Sequence, residues 1–353
     1  MPGPVRRRRA WRRAEMGSPP PWPTDCWYAV GLSSQVGRQP LGHRFQGSDV
    51  VLMRDHGGRV LAFEGRCAHR GCSLAGGWSR DDRLVCPYHG WQYDAEGSCV
   101  RIPALRAEES IPRQARLRTF PTRERHGFIW LWVAGHQSSP VGEVQDIPEL
   151  AGLTLRDGGD MAFTYGTHFT RTIENGIDPT HAAFVHGKSI GRVDPLADFS
   201  LERYPVTVEA GSLYGRMPIK VKKLTGLTRL LLRGDAANAF KEYRFLYPNV
   251  VVSIVHFGAV TLAALQAHVP DSDSATTVRV TNGRNFLIAT PGLNRLFDRI
   301  TLDTGLQISR EDAAVITEQE PRQVSFRGSN EVLIESDRIL VEYRRMMREH
   351  ARI

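Results

Sequence analysis

Cys67-Ala68-His69-Arg70-Gly71-Cys72 and, after a short interval, Cys86-Pro87-Tyr88-His89-Gly90-Trp91 are the two segments on which the reading of this chain turns. Each supplies one thiol and one imidazole. Four such ligands would satisfy tetrahedral zinc, but zinc modules pair CxxC with HxxxH or with a second CxxC. Here cysteine and histidine alternate within each segment. That order suits a [2Fe-2S] cluster in which both cysteines hold one iron and both histidines the other, so that each loop contributes to both metals. A glycine close after each histidine fits a tight loop that turns backbone N–H groups toward cluster sulfur.

Around these segments lie short β-branched or aromatic runs, Trp27 to Val30, Val50 to Arg54, Val60 to Glu64 and Phe128 to Val133. Turns at Asp55-His56-Gly57-Gly58 and Asp94-Ala95-Glu96-Gly97 separate them, and helical periodicity is weak before about residue 150. The region reads as a small all-β unit. Its two loops resemble the Rieske domain of ring-hydroxylating and related oxygenases, whose second loop typically reads CPYHGW, as residues 86–91 do here. The resemblance makes Cys67, His69, Cys86 and His89 the cluster ligands. Respiratory-chain Rieske proteins carry a further cysteine in each loop, forming a bracing disulfide. Cys72 occupies one such place but Tyr88 stands at the other, so no such bridge is expected. Five cysteines, an odd number without a secretory signal, also argue against a disulfide framework. Cys26, Cys72 and Cys99 read as small, mostly buried residues.

The second informative stretch is Glu174-Asn175-Gly176-Ile177-Asp178-Pro179-Thr180-His181-Ala182-Ala183-Phe184-Val185-His186. Asp178 and His181 share a face of an ideal helix, whereas a five-residue step turns His186 by roughly 140° from His181. A helix there must end or bulge if both histidines bind one metal. Asp178-Pro179 also fits an N-cap followed by proline in the first helical position. Two histidines and one carboxylate on one face, with open positions for O2 and substrate, are the ligand set of non-haem Fe(II) oxygenases. The carboxylate must come from elsewhere, and Arg310-Glu311-Asp312-Ala313-Ala314-Val315 resembles the late helix that supplies it in the Rieske oxygenases. His181, His186 and Asp312 are therefore the expected metal ligands, with Glu311 the nearest competitor.

The likeness extends over about residues 24–347. ENxxDxxHxxxxH, Glu311-Asp312 followed by Gln319 and Pro321, and Asp337-Arg338 with Tyr343-Arg344-Arg345 look most like the branch holding vanillate O-demethylase, dicamba monooxygenase and pheophorbide-type chlorophyll-pathway oxygenases. The chain lacks the C-terminal membrane segment and CxxC of the chlorophyll-pathway members. The resemblance implies an α+β protein: a tail over 1–23, an all-β Rieske domain over 24–145 and an antiparallel-sheet, helix-grip catalytic domain over 146–353. It implies a [2Fe-2S] cluster, mononuclear Fe(II), and NAD(P)H used only through a separate ferredoxin or flavin reductase. It further implies a head-to-tail homotrimer in which Asp178, the catalytic candidate, joins His181 to a cluster histidine of the neighbouring subunit. Arg66, Arg70 and Arg80 are candidates for docking an acidic ferredoxin. The implied reaction is hydroxylation or oxidative demethylation of a small aromatic or cyclic substrate. A cis-diol-forming dioxygenase and a non-enzymatic Rieske electron carrier are the alternatives.

The remaining sequence is consistent with this. At 353 residues two domains, or one large one with an insertion, are expected, and 41% apolar with 24% charged residues suffices for a substantial core. From 140 to 159 the chain is rich in glycine, proline and acids and reads as a linker or the entry to a second domain. Strands are expected near 201–218, 239–257 and 259–269, then a helix from about Leu293 to Glu320, stopped by Pro321. The longest apolar run, Phe257 to Val269, is interrupted by Gln266 and His268 and is too short for a membrane span. Of the formal charge of +8, the first fifteen residues hold +5 through six arginines and Glu15. The rest is nearly neutral, which leaves an arginine-tailed nucleic-acid binder with structural zinc as a remote alternative and favours an unstructured or mis-assigned tail. A cytoplasmic location is expected. Phe184, Val252 and Phe257 are candidates for lining a pocket, although apolar residues at such positions equally form core.

Overall fold

The computed structural model describes residues 22–137, 139–186, 189, 203–219, 239–290, 292–326 and 330–350. The arginine-rich run lies outside them.

Ten short strands build the N-terminal unit. β1 (Cys26–Leu32), β10 (Phe128–Val133) and β9 (Thr122–Arg125) form one sheet, and β2 (Leu41–Phe45), β3 (Ser48–Arg54) and β4 (Val60–Glu64) a second. β5 (Trp78–Arg80), β6 (Arg83–Val85), β7 (Gln92–Tyr93) and β8 (Cys99–Arg101) form a third. The hairpins are tight because Gln46-Gly47, Asp81-Asp82 and His126-Gly127 all adopt positive φ, the two-residue geometry that matches strand twist. Val51, Phe63, Leu84 and Tyr93 pack with Cys67 and Cys86 into a small core of their own.

The second unit is a seven-stranded antiparallel sheet in the order β11-β17-β16-β15-β14-β13-β12. Its strands are β11 (Thr154–Tyr165), β12 (Val206–Glu209), β13 (Ser212–Pro218), β14 (Phe240–Leu246), β15 (Val250–Phe257), β16 (Val260–Ser272) and β17 (Ala275–Arg284). Four helices accompany it among the described residues: α1 (Phe169–Ile177), α2 (Ala182–Val185), α3 (Leu293–Ile316) and α4 (Arg338–His350). Within the stretch read as a linker or the entry to a second domain, β11 begins at Thr154. Gly158 and Gly159 sit where its register with β17 slips between Arg156 and Met161, the usual place for glycine inside a strand. α3 also stops short of Glu320. Thr317 donates its hydroxyl to the Ala313 carbonyl at 2.6 Å, and the chain leaves the helix ahead of Pro321.

Strand alternation gives the large sheet two different faces. Val250, Val252, Ile254, Leu265 and Ala267 form one continuous core with Trp27, Tyr28 and Trp132 of the N-terminal unit. Val252, a candidate for the pocket, is therefore core. The seam is keyed by Asn249, which is fully buried. β1 slips register between Ala29 and Gly31, and Asn249 replaces the lost pairing by accepting from the Ala29 N–H at 3.1 Å and donating to its carbonyl at 2.8 Å. The opposite face carries α1 and α4 over β13 to β15, and α3 over β11 and β17. On that face Ser253, Val255, Phe257, Leu262, Ala264 and Gln266 remain half-buried while their neighbours facing the other way are mostly buried. Among the described residues, that face of β15 and β16 is therefore less completely covered than the other.

α1 is clamped by charge. Arg171 and Arg344 both pair with Glu174 and with Glu331, at 2.6 to 3.1 Å. Arg171, Glu174 and Arg344 have little exposed side chain. Removing one member would leave an uncompensated buried charge, a loss of about 3–5 kcal/mol. The clamp fixes the helix end from which the next segment departs.

Candidate functional site

α1 ends at Ile177 because Asp178 turns extended, with φ −68° and ψ 124°. Its carboxylate Oδ1 then accepts the Thr180 N–H and hydroxyl, both at 2.7 Å, in a local turn that competes with helix. Asp178 thus terminates α1, and the N-cap alternative does not apply. The chain re-enters helix only for α2, after His181 and before His186, whose φ of −94° and ψ of 30° end the short helix. The predicted helix end between the aspartate and the second histidine is present, and it brings the two rings together.

His181 Nε2 and His186 Nε2 lie 3.3 Å apart. Asp312 Oδ1, from α3, is 3.2 Å from His186 Nε2 and 3.7 Å from His181 Nε2. Ligands bound at about 2.1 Å and at right angles would stand roughly 3 Å apart, so the three atoms fit one face of a cation. Both far nitrogens are engaged. His181 Nδ1 is 3.0 Å from the Asp178 carbonyl, and His186 Nδ1 is 3.1 Å from Glu311 Oε2. These bonds place the protons on Nδ1 and leave the Nε2 lone pairs convergent. Asp312 Oδ1 is buried with no hydrogen-bond donor to satisfy it, a cost that a cation would relieve. Burial pulls the His186 imidazole down, but Asp312 and Glu311 outweigh it and raise the group above its ordinary value. The His181 imidazole is lowered, chiefly by burial.

Glu311 belongs to the surroundings of the triad. It accepts from the Ser189 hydroxyl at 2.7 Å and from Gln307 Nε2 at 3.1 Å while holding His186. The carboxylate of Asp178 differs from the sequence expectation: its Oδ2 is 3.7 Å from His181 Nδ1, and the nearer acceptor is the residue's own carbonyl.

The cysteine and histidine loops share one backbone design. Gly71 N–H donates to the Cys67 carbonyl at 2.9 Å, and Gly90 N–H to that of Cys86 at 3.0 Å. The Cys67 N–H donates to the Cys72 carbonyl and that of Cys86 to Trp91, both at 2.9 Å. Both glycines require positive φ, +70° and +69°, which explains their placement four residues after each cysteine. The thiols are buried and the imidazoles exposed, with ring centroids 4.7 Å apart and His69 stacked flat on Trp91 at 4.6 Å. An inner pair of soft ligands and an outer pair of imidazoles is the donor set that a split-ligand [2Fe-2S] cluster needs. All five cysteines are free, so no bridge braces the loops.

Residues 26–121 match the family model described as the Rieske [2Fe-2S] domain, and residues 165–352, more than half of the chain, match the vanillate O-demethylase oxygenase C-terminal domain. The chain belongs to the Rieske non-haem iron oxygenases. Members of this family carry a Rieske cluster and a mononuclear iron. Among curated relatives, this family member is 34% identical to aminopyrrolnitrin oxygenase PrnD of Pseudomonas fluorescens over 186 residues, 50% of this chain and 48% of that one. It is 31% identical to the vanillate O-demethylase oxygenase subunit of a Pseudomonas species over 176 residues, 48% and 47% of the two chains. The chain thus spans about half the length of these relatives. The crystal structure of dicamba monooxygenase bound to dicamba superposes with a TM-score of 0.77 over 93% of this chain and 97% of that one. At 22% identity that likeness speaks to the fold alone. No helix among the described residues is long and apolar enough to cross a membrane.

Two residues of this Rieske oxygenase-family chain carry roles that its motifs do not disclose. Tyr93, fully buried, places its hydroxyl 3.0 Å from Cys67 Sγ and accepts from the Ala68 N–H at 3.2 Å. It lies on β7, outside both loops, and only its pairing partner and burial reveal it. A hydroxyl donated to a thiolate stabilises the more negative, reduced state. Tyr93→Phe is expected to lower the cluster potential by about 40 mV for one hydrogen bond of about 1 kcal/mol. Redox titration followed by EPR checks this, and an unchanged potential would remove Tyr93 from that role. The second is Glu311 in its observed place. Glu311→Gln keeps the shape but loses the charge on His186, and metal affinity is expected to fall about 10- to 100-fold. Equilibrium dialysis against Fe(II) measures it.

Proposed function

We propose that this chain is the terminal oxygenase of a multicomponent system that hydroxylates or oxidatively demethylates a small aromatic or cyclic substrate. The observation that carries the reading is the convergence of His181, His186 and Asp312, whose ligand atoms lie within 4.8 Å of one another. In this reading Cys67, Cys86, His69 and His89 hold the cluster, and His181, His186 and Asp312 hold Fe(II). When bound, the iron supplies O2 activation and the cluster supplies single electrons. The chain's own part is to set the imidazole tautomers through Glu311 and the Asp178 carbonyl, to orient a substrate against the open side of the triad, and to keep water from it.

The same proposal divides the chain between residues 145 and 146; the cysteine loops and the helix-bearing face of the large sheet each have a core of their own, and a third core joins the two units. A homotrimer is part of the same proposal, with Asp178 Oδ2 facing a cluster histidine of the neighbouring copy. A separate reductase fed by NAD(P)H would approach the exposed His69 and His89. Of the three arginines considered for docking, Arg66 is engaged by Asp49 and Arg80 by Asp81 at 3.7 Å, so Arg70 is the one best placed.

An anaerobic iron and acid-labile sulfide count with EPR on dithionite-reduced protein tests the reading directly. About three irons and two sulfides per chain, with a rhombic signal, are expected. Zinc without sulfide would overturn it. Once a substrate is in hand, labelling with 18O2 separates one incorporated atom from the two of a cis-diol.

A further inference from the structure

Lys241 is the only lysine among the described residues of a chain that has just five among its 46 basic residues. It stands on β14 between Met217 of β13 and Val255 of β15. Strand alternation places it on the same face as Tyr243 and Phe245, which pack beneath α1 and α4. Its Nζ lies 4.3 Å above the Tyr243 ring. That contact is its only specific partner among the described residues, since no carboxylate comes within ion-pair distance. Burial lowers the ammonium to about 8, opposed by the charges of Asp312 and Asp178.

No ion pair joins Lys241 to a carboxylate among the described residues. Asp178 turns Oδ1 to Thr180 and Oδ2 toward His181 Nδ1 at 3.7 Å, and Asp312 would give its charge to the cation held with His181 and His186. A divalent ion on two neutral imidazoles and one carboxylate leaves net positive charge, to which Lys241 adds another. A half-buried cation on the helix-bearing face of the sheet calls for an anion, because burying charge without a partner is costly. Resting on the oxygenase reading, we propose that Lys241 binds the anionic head group of the substrate, a carboxylate or sulfonate on an aromatic ring, and so selects acidic over neutral substrates.

The test uses protein loaded with cluster and Fe(II), kept anaerobic, and calorimetric binding of benzoate, benzenesulfonate and the neutral benzamide. At least one anion is expected to bind about tenfold or more tighter than benzamide, and the tighter of the two names the head group. Lys241→Met and Lys241→Gln should erase that preference at an unchanged iron count, and Lys241→Arg should keep it. Equal binding of anions and amide by the parent, no binding of either anion, or a preference that survives in both neutral variants would overturn the proposal. A preparation that holds no iron would instead sink the oxygenase reading on which it rests.

Discussion

Asp312→Ala abolishes product formation and leaves the [2Fe-2S] signal intact: this is the largest effect expected of any single substitution outside the cluster. Asp312 Oδ1 is the only anionic atom in the group of three that converges within 4.8 Å. Without it, two neutral imidazoles must hold a dication in a half-dry site, and retention of iron fails. The iron count should fall from about three to about two per chain with sulfide unchanged. Turnover should drop by more than about a thousandfold, because the metal contributes several kcal/mol at about 1.4 kcal/mol per tenfold. His181→Ala and His186→Ala should behave alike, since each removes one of the three convergent atoms. The cluster loops have a hydrophobic core of their own and should keep their spectrum. Retained iron with near-normal turnover in Asp312→Ala would refute the triad, and Glu311, 3.1 Å from His186 Nδ1, would be the next carboxylate to test.

Asp178→Asn separates holding a metal from feeding it. Asparagine keeps an oxygen for the Thr180 N–H and hydroxyl and leaves untouched the main-chain carbonyl that holds His181. The local turn, the ligand tautomer and the bound iron should therefore persist. What is lost is the charge on Oδ2, the oxygen turned away from the Thr180 contacts and 3.7 Å from His181 Nδ1. If that charge joins His181 to a cluster histidine of an adjacent copy, product formation should fall roughly 100-fold or more with both centres spectroscopically normal. Single-turnover oxidation of the reduced cluster, followed optically, should slow in parallel. Near-normal cluster oxidation would show that Asp178 only ends α1.

Much of the site is legible in the residues themselves. The spacing of Cys67, His69, Cys86 and His89 and the glycines behind them specify the loops, because the constraints are local: the same five-residue turn, closed by the same backbone bonds, recurs in both. His181 and His186 are legible for a related reason. A five-residue step cannot place two imidazoles on one metal from an unbroken helix, so the break near His186 is implied by the chemistry. Asp312 is reached through family likeness alone, since a carboxylate 126 residues away from His186 in the chain carries no local signal.

Other features depend on packing across the sheet. That Asp312 meets the two Nε2 atoms while Glu311 holds His186 Nδ1 follows from the rotation of α3 against β11 and β17, which composition does not encode. The division of β15 into a buried face and a half-buried one sends Val252 into the core and leaves Phe257 half-buried on the other face. Tyr93 and Lys241 sit in strands whose motifs are silent. Their meaning comes from what pairing and alternation place beside them, the Cys67 thiol in one case and the Tyr243 ring in the other. Sequence alone determined the ligand types and the turns that present them, because those interactions span a few residues. Which atoms finally meet was decided by tertiary structure, since only the assembled sheet and helices set distances between residues remote in the chain.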